Sequence, residues 1–191
     1  MSNPLNDLQG PTEWPAVVLV KDVMAKGEIP LTLSANAAER AAIAKRLNLL
    51  ALDRFEARLI AARWGAGGVR LEGVMTAEVA QACVVTLQPV PERLEEPVLA
   101  RFAKDAPTPT TEADLNDYDL LDPDAPDPPD PLPADGRVHI GELLIQLLSV
   151  ALDPYPRAEG ATLEGTGEGE AGAKSGADHP FAALAALKGR R

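Results

Sequence analysis

Apolar and polar residues alternate along three successive runs between Leu52 and Phe102. In the central run, residues 69–83, the odd positions other than Gln81 are apolar or small and most even positions are polar. A period of two predicts strands with one buried and one solvated face. Residues 65–68 join the first two runs as a glycine-rich hairpin, and a proline break at 89–91 precedes the third. The pattern therefore predicts three long antiparallel strands.

The apolar pattern before these runs predicts two shorter strands and a helix. Residues 14–20 are apolar on both faces, which is typical of a strand buried within a sheet, and residues 29–33 alternate as a short strand. A helix follows over residues 37–47, and it is capped by Ser34 or Asn36. We expect this helix to pack on the sheet through one apolar stripe. The stripe consists of Ala42, Ile43, Leu47 and Leu50.

A second helix is predicted over residues 142–152, where apolar residues recur on most sides and only Gln146 and Ser149 dilute them. Its main stripe consists of Leu143, Leu144, Leu147 and Ala151, and the stripe is widened by Ile145, Leu148 and Leu152. We therefore expect this helix to be buried on most sides. A proline-rich break at 153–156 ends this helix. The elements together predict an α+β fold, in which an antiparallel β-sheet meander carries two packed helices. We assign this single domain to residues 1–156.

The net charge of −11 arises in one segment of the chain. Residues 1–104 hold 12 basic and 12 acidic residues, whereas residues 105–136 hold ten acidic residues, eight prolines and no basic residue. Such a segment has too little apolar surface to offset its ordering entropy, so we predict a long disordered acidic loop over 105–136. Four of its aspartates are clustered, but they lack the glycine and the terminal glutamate of a calcium loop. They are Asp122, Asp124, Asp127 and Asp130.

Residues 157–191 are predicted to be a flexible tail with a short terminal helix at 180–188. A proline at the first helical position and apolar residues at helical spacing favour this helix, although it is too short to be stable alone. Its candidate partner-docking residues are Phe181, Leu184, Leu187 and Lys188. Two alternatives remain open from the sequence: the helix folds back onto the body, or it docks on a partner.

Few residues are suited to catalysis or metal binding. The single cysteine, Cys83, excludes an internal disulfide and a multi-thiolate metal site. The alternation places it mid-sheet on the same face as Met75 and Val79, where a buried thiol is structural and inert. The two histidines lie apart, with His139 at an expected core edge and His179 in the tail. We therefore predict no catalytic residue, no metal, no cofactor and no enzyme activity.

Signals for phosphate or membrane binding are weak. The glycine-rich stretch 65–70 joins two strands and lacks the lysine of a phosphate loop. Arg40, Lys45 and Arg46 could touch a phosphate, but with Glu39 among them they are typical of a solvated helix face. No apolar run approaches the roughly 20 residues that span a bilayer. We expect a soluble, cytoplasmic protein without a membrane partner or a small-molecule substrate.

Three separate segments carry motifs in a recognisable order. Cys83 and Pro89 keep two positions of a Cys-x-x-Cys-x-x-Pro pattern, and Thr86 stands in place of the second cysteine. Residues 138–156 form a helix that ends in a proline-containing break, and residues 180–188 read Pro-Phe-Ala-Ala-Leu-Ala-Ala-Leu-Lys. Together these segments resemble the YceD-type family of large ribosomal RNA subunit accumulation proteins. The chain looks like an alphaproteobacterial-type variant that lacks the second cysteine.

The resemblance implies a role in the synthesis, processing or stability of the large-subunit (23S) ribosomal RNA of bacteria. It implies no catalytic residue in this chain, because no catalytic residue is established for the family. It implies that the motif positions Cys83, Pro89 and Pro156 are structural, although Asp153 replaces the family's first proline at the end of the helix. The loss of the second cysteine implies that thiol-pair chemistry is dispensable in this chain.

Charge distinguishes two modes of action for such a protein. A neutral body with an acidic arm is repelled by RNA phosphate rather than attracted to it. We therefore expect the partner to be a large-subunit ribosomal protein or a maturation protein. Direct binding to ribosomal RNA is the alternative.

Overall fold

The three long strands that the alternation predicts form the centre of the fold. The structure is a computed structural model, and it describes residues 13–106 and 128–161. In chain order its elements are β1 (Val17–Leu19), α1 (Val20–Lys26), β2 (Glu28–Ser34), α2 (Ala37–Arg46), β3 (Ala51–Trp64), β4 (Gly68–Ala82), β5 (Pro89–Ala103), β6 (Asp130–Pro131), β7 (Arg137–His139) and α3 (Ile140–Ala151).

Strands β2 to β5 each pair antiparallel with their neighbour in sequence, and β6 joins β5 in parallel. The main sheet therefore has the order β2-β3-β4-β5-β6, while β1 and β7 form a separate antiparallel pair. Val23 of α1, Ile43 of α2 and Leu144 of α3 belong to the same hydrophobic core as the inner face of the sheet. The predicted α+β fold with an antiparallel meander is confirmed, and α1 is a third helix beyond the two predicted.

The pairing register places the buried residues of the long strands on one face of the sheet. Leu59 of β3 lies opposite Gly73 of β4, which in turn lies opposite Val98 of β5. A Cβ atom at Gly73 would lie 2.0 Å from the carbonyl oxygen of Arg58, so only glycine fits this contact between β3 and β4. The buried face consists of Phe55, Ala57, Leu59, Ala61, Val69, Leu71, Met75, Ala77, Val79, Leu94, Val98, Ala100 and Phe102.

Helix α2 begins with the cap that the sequence offers at Asn36. The Asn36 side chain accepts the N–H groups of Ala38 and Glu39 at 2.9 and 3.0 Å, and the Glu39 carboxylate accepts the Asn36 N–H at 2.7 Å. This reciprocal capping box provides acceptors for backbone N–H groups at the helix start that have no partner within the helix. Ile43 is fully buried as expected, but Leu50 is 55% exposed and does not belong to the packed stripe.

The predicted strand over residues 14–20 is wrong in its extent and in its partner. Only Val17–Leu19 forms a strand, and it pairs with β7 rather than within the main sheet. From Val20 the chain continues as α1, which buries Val23 completely and ends at Gly27 with a φ of +85°. The run Val-Val-Leu-Val favours a strand when it is considered locally. Burial of one helical face against the core overrides this preference.

Helix α3 is present, but it is buried on one side rather than on most sides as predicted. The fully buried positions are Ile140, Gly141, Leu144, Ile145 and Leu148. Leu143, Leu147 and Ala151 are only partly buried, and Val150 is 85% exposed. The helix is therefore covered on one side and open on the other. Among the described residues, no helix is long and apolar enough to cross a membrane.

The start of α3 is held against the N-terminal segment and α2, which sets the direction of its buried face. A Cβ atom at Gly141 would lie 2.0 Å from the Trp14 carbonyl oxygen, and the Gly141 N–H donates to the Ala16 carbonyl at 3.1 Å. Arg46, at the end of α2, donates to both carboxylate oxygens of Glu142 at 2.8 and 2.6 Å. These contacts come from elements distant in sequence, so periodicity alone did not predict the orientation.

The disordered acidic loop predicted over 105–136 extends too far at its C-terminal end, because residues there belong to the folded body. Residues 128–136 lie in the described part of the chain, where β6 pairs with the end of β5. The Leu132 N–H donates to the Ala103 carbonyl at 2.9 Å, and the Leu132 side chain packs against the core. The predicted disorder of the loop and of the tail otherwise concerns residues 107–127 and 162–191, which lie outside the described residues.

We expect the acidic loop to be replaceable as long as β6 is kept. Replacing residues 108–126 with a Gly/Ser linker of about twelve residues changes the loop-closure term by less than about 1 kcal/mol. The melting temperature should therefore stay within a few degrees of the wild-type value. Replacing residues 108–132 also removes β6 and the Leu132 contact, so this control variant should melt at a clearly lower temperature.

Thermal unfolding followed by circular dichroism measures both loop replacements. Equal melting temperatures would contradict a stabilising role for β6. Loss of cooperative unfolding in the shorter replacement would show that residues 108–126 pack against the body.

Candidate functional site

Two of the motif segments that carry the family resemblance meet at one corner of the sheet. This motif corner consists of the turn at residues 83–88, between β4 and β5, and of the segment at residues 153–158, after α3. The Val84 N–H donates to the Pro156 carbonyl at 2.9 Å and joins the two segments directly. The corner therefore brings together the predicted motif positions Cys83 and Pro156.

Cys83 lies directly after β4, at the start of the turn, and not mid-sheet as the alternation predicts. Its side chain is buried, but it does not belong to the core cluster that contains Met75 and Val79. The Cys83 N–H donates to the Gln88 carbonyl at 2.8 Å, and the Leu87 N–H donates to the Cys83 carbonyl at 2.9 Å. Cys83 therefore closes the turn with its backbone, while its sulfur lies outside the core cluster.

The sulfur of Cys83 accepts three backbone N–H groups. Val85 and Thr86 each donate at 3.4 Å, and Ala158 donates at 3.3 Å from the other motif segment. Hydrogen bonds to the sulfur favour the thiolate over the thiol. The bond from Ala158, followed by one from the Thr86 side chain, lowers the pKa of the Cys83 thiol to about 6, although desolvation acts in the opposite direction.

Pro89 and Pro156 stabilise the two segments that enclose the sulfur. Pro89 is the first residue of β5 and lies opposite Ala82, a position at which a strand tolerates proline. Pro156 is buried, and its carbonyl accepts the N–H of Val84. Thr86, in the place of the family's second cysteine, is exposed while its N–H donates to the sulfur. The described geometry is thus a closed structural turn around one sulfur.

The structure separates Cys83 from His139, its only potential base in the predicted domain. His139 is the N-cap of α3, whereas the motif corner lies beyond the other end of this helix of 12 residues. Such a helix is about 18 Å long, so the two side chains do not form a catalytic pair. Within residues 13–106 and 128–161, no three His, Cys, Asp or Glu side chains converge as they would around a metal ion.

Two of the three basic residues of α2 make contacts within the fold, and Lys45 is exposed. Arg40 donates to the Ala35 carbonyl at 2.7 Å. Arg46 binds Glu142 and also Glu13, whose carboxylate lies 3.0 Å away. These contacts favour the structural interpretation of the α2 cations over phosphate binding.

A groove of about 320 Å³ lies beside the motif corner. Its walls come from the end of α2, the end of β4 and the chain that follows α3. The Gln81 side chain bridges two of these walls by donating to the Asp153 carbonyl at 2.9 Å. The lining residues are Leu47, Asn48, Gln81, Ala82, Ser149, Leu152, Asp153, Pro154 and Pro156.

Several large apolar side chains of the motif corner face solvent. Val84 is 48% exposed, Tyr155 is 71% exposed and Leu87 is 75% exposed. Leu87 also has a φ of +59°, a left-handed conformation that costs a non-glycine residue about 1–2 kcal/mol. An exposed leucine held in such a conformation favours a binding role for this surface. Sequence periodicity did not indicate these residues, because they lie in non-periodic segments.

The outer face of β2–β5 is a second exposed surface, and its charges are balanced. Arg54 pairs with Glu56 at 2.7 Å, and Arg70 pairs with Glu72. A cavity of about 360 Å³ lies on this face around Arg58 and other residues of β3 to β5. Five arginines and five glutamates project from the face: Arg54, Arg58, Arg70, Arg93, Arg101, Glu28, Glu56, Glu72, Glu78 and Glu95. The face therefore lacks the basic stripe that phosphate binding requires.

The predicted partner-docking residues of the tail lie outside the described residues. They are Phe181, Leu184, Leu187 and Lys188.

The hydrogen bonds around Cys83 predict a pH-dependent contribution to stability. The folded protein holds the thiol pKa at about 6, whereas an unfolded chain has a cysteine pKa of about 8.5. The thiolate therefore stabilises the fold fully above about pH 8.5, and this contribution is lost as the pH falls to about 6. We expect the stability difference between wild type and Cys83→Ala to grow from pH 6 to pH 8.5.

The measurement is urea unfolding of both proteins at several pH values, together with thiolate absorbance of the native protein. Comparison with Cys83→Ala removes the pH-dependent contributions that the two proteins share. A native thiol that titrates near pH 8.5, or a constant stability difference, would contradict the proposed hydrogen bonding.

Cys83→Ala is also expected to fold and to retain its cellular role, because the structural function of the sulfur is local. The lost side-chain volume should cost about 1–2 kcal/mol in the free energy of unfolding at pH 6. Under the role that the family resemblance implies, large-subunit ribosomal RNA levels in cells that depend on the variant measure whether it remains functional. Loss of accumulation by well-folded Cys83→Ala, or stoichiometric zinc in the native protein by elemental analysis, would refute a purely structural cysteine.

Comparison with known proteins identifies the family. The family model for the large ribosomal RNA subunit accumulation protein YceD matches residues 71–188, more than half of the chain. This range contains the turn after β4, helix α3 and the terminal motif. No curated protein and no solved structure matches the chain. The chain belongs to the YceD family of large ribosomal RNA subunit accumulation proteins.

Proposed function

We propose that this protein supports the accumulation of 23S ribosomal RNA as a non-enzymatic factor that binds a ribosomal or maturation protein of the large subunit. Family membership supports the role in large-subunit ribosomal RNA accumulation. The observation that carries the binding mode is the exposed apolar surface of the motif corner, formed by Val84, Leu87 and Tyr155. Apolar side chains of this size on a surface are typical of protein contacts.

Charge supports a protein partner over RNA. The described residues hold 14 basic and 17 acidic residues, a net charge of −3 within the total of −11. RNA binding is driven mainly by cations that neutralise phosphates. A body with this charge is better suited to a basic protein, and large-subunit ribosomal proteins provide such surfaces.

The terminal segment is the second part of the proposed interface. Phe181, Leu184 and Leu187 recur at helical spacing, and Lys188 follows them. Short amphipathic helices of this kind bind by inserting an apolar stripe into a groove of the partner. We assign the segment a docking role on the ribosomal or maturation protein.

Direct RNA binding remains the alternative function, and one feature of the outer sheet face favours it. Arg58 and Arg93 border the 360 Å³ cavity, and neither has a carboxylate within 4.0 Å in the described parts of the chain. These two guanidinium groups are available to phosphate oxygens. Glu56 and Glu95 line the same cavity, so the local charge is balanced.

Affinity purification with matched surface variants tests the proposed function. We expect Leu87→Asn/Tyr155→Ser to remove the apolar surface of the motif corner, while asparagine tolerates the left-handed conformation at position 87. This variant should lose most of its bound large-subunit protein and lower the ratio of 23S to 16S ribosomal RNA several-fold in cells that depend on it. Leu99→Asn, on the outer sheet face, is the control and should retain both.

An additional variant, Arg58→Gln/Arg93→Gln, tests the RNA alternative. RNA binding predicts that purified wild type retains ribosomal RNA in low salt, releases it as salt increases, and loses it in this variant. That result, combined with normal protein capture by Leu87→Asn/Tyr155→Ser, would overturn the protein-directed function.

A further inference from the structure

The outer face of the main sheet has an apolar centre. Glu72 of β4 pairs with both Ile60 of β3 and Leu99 of β5. In the next row, Val74 of β4 pairs with the exposed Pro97 of β5. Ile60, Val74 and Leu99 are 44, 41 and 55% exposed. We call the four apolar residues 60, 74, 97 and 99 the sheet patch. Because they lie in adjacent rows of paired strands, they form one contiguous surface of the kind that marks an interaction site.

Opposite charges lie at the two ends of the sheet patch, along the direction of the strands. At one end, Arg70 of β4 pairs with Arg101 of β5. At the other end, Thr76 of β4 pairs with both Glu56 of β3 and Glu95 of β5. Both ends lie the same number of residues along β4 from the centre of the patch. On β3 to β5, the patch is therefore bordered by two arginines at one end and by two glutamates at the other.

A second copy of the chain is complementary to this face when a two-fold axis runs across the strands. The axis passes between the row of Leu99 and the row of Pro97, so the strands of the two copies run antiparallel. Each basic end then faces the acidic end of the other copy, and Arg101 approaches Glu95 of the second copy twice in the dimer. A two-fold axis along the strands would instead place Arg70 beside Arg70 of the second copy, and like charges would meet.

This arrangement pairs charges that have no partner within one copy. Arg101 and Glu95 have no opposite charge within 4.0 Å in residues 13–106 and 128–161, whereas Arg70 already pairs with Glu72. Arg58, beside the sheet patch, also has no such partner there, and it would face Glu72 of the second copy. The face is thus complementary to itself in charge as well as apolar in its centre.

The face is also large enough for a stable dimer. About eleven residues of each long strand overlap around the axis, a length of about 37 Å at the usual strand rise. Strands β3 to β5 are about 14 Å wide together, and β2 adds its 7 residues. These dimensions give about 600 Å² per copy and about 1,200 Å² in total, at the lower end of stable interfaces. Twisted sheets pack face to face in this way, with their strands about 30° apart.

We propose that the outer sheet face is the interface of a homodimer, in which two copies pack face to face over the sheet patch. The motif corner begins at Cys83, about 34 Å along the strand from Gly73 at the centre of the interface, so it stays outside the overlap. The dimer therefore presents two motif corners at opposite ends. The inference does not depend on the proposed function, because each copy keeps its own motif corner with or without the second copy.

Sedimentation equilibrium of the full-length protein measures the dimer and its dissociation constant. We expect wild type to have twice the mass of the chain at micromolar concentration. Val74→Thr/Leu99→Thr keeps residues that favour strands but removes much of the apolar centre, so it should raise the dissociation constant about tenfold or more. Leu87→Asn/Tyr155→Ser removes exposed apolar side chains of the motif corner instead, and this matched control should dimerise as wild type does.

A charge exchange tests the antiparallel arrangement itself. Arg101→Glu and Glu95→Arg each place like charges opposite each other across the interface, so each should weaken the dimer about tenfold or more. The double variant Arg101→Glu/Glu95→Arg restores opposite charges and should recover most of the wild-type affinity. The two positions are about 20 Å apart within one copy, so this recovery cannot arise inside a single molecule. Circular dichroism of each variant verifies that it remains folded.

Three results would overturn the inference. The first is a wild-type protein that stays monomeric at about 100 μM, since an interface of this area binds with a dissociation constant of about 1 μM or less. The second is a dimer that folded Val74→Thr/Leu99→Thr does not weaken, because the contact would then lie elsewhere. The third is a double charge exchange that fails to recover the affinity lost in the single variants.

Discussion

The register between β3, β4 and β5 is the constraint on which the rest of the structure depends. It aligns the buried residues of three long strands on one face, with Gly73 allowing the close approach of β3 and β4 at the centre. Because the side-chain period of a strand is two, a shift of one residue would turn the apolar set toward solvent. All three helices contribute buried residues to the core on this face, which leaves the opposite face charged and open.

The same register determines where the motif residues lie. The turn after β4 must form at the end of the longest strand pair, and the chain returns to it through α3 after the acidic loop. The hydrogen bond between Val84 and Pro156 then joins the turn after β4 to the segment after α3. Two motif positions that are 72 residues apart in sequence thereby come into contact.

Cys83 illustrates how a structural residue can carry unusual chemistry. Its sulfur accepts three N–H groups and its thiol pKa is lowered to about 6, yet it is covered by the turn and by the segment after α3. The Ala158 bond links the charge of the sulfur to the position of that segment. Apolar side chains of the same corner remain exposed, so the corner is buried at the sulfur and open to contact at its edge.

The sequence by itself determined the three long strands, their alternation, helix α2 and the helix that became α3, because these depend on local periodicity. It left Ser34 and Asn36 as alternative caps of α2, and the structure uses Asn36. It also contained the family motifs, although Cys83 was expected in the sheet rather than after it. Tertiary structure decided the helical state of residues 20–26, the buried face of α3 and the pairing of β6, since these depend on contacts with distant residues. It alone also revealed the thiolate environment and the exposed Leu87. The thiolate environment arises where two segments more than 70 residues apart meet, and no local pattern records such a contact.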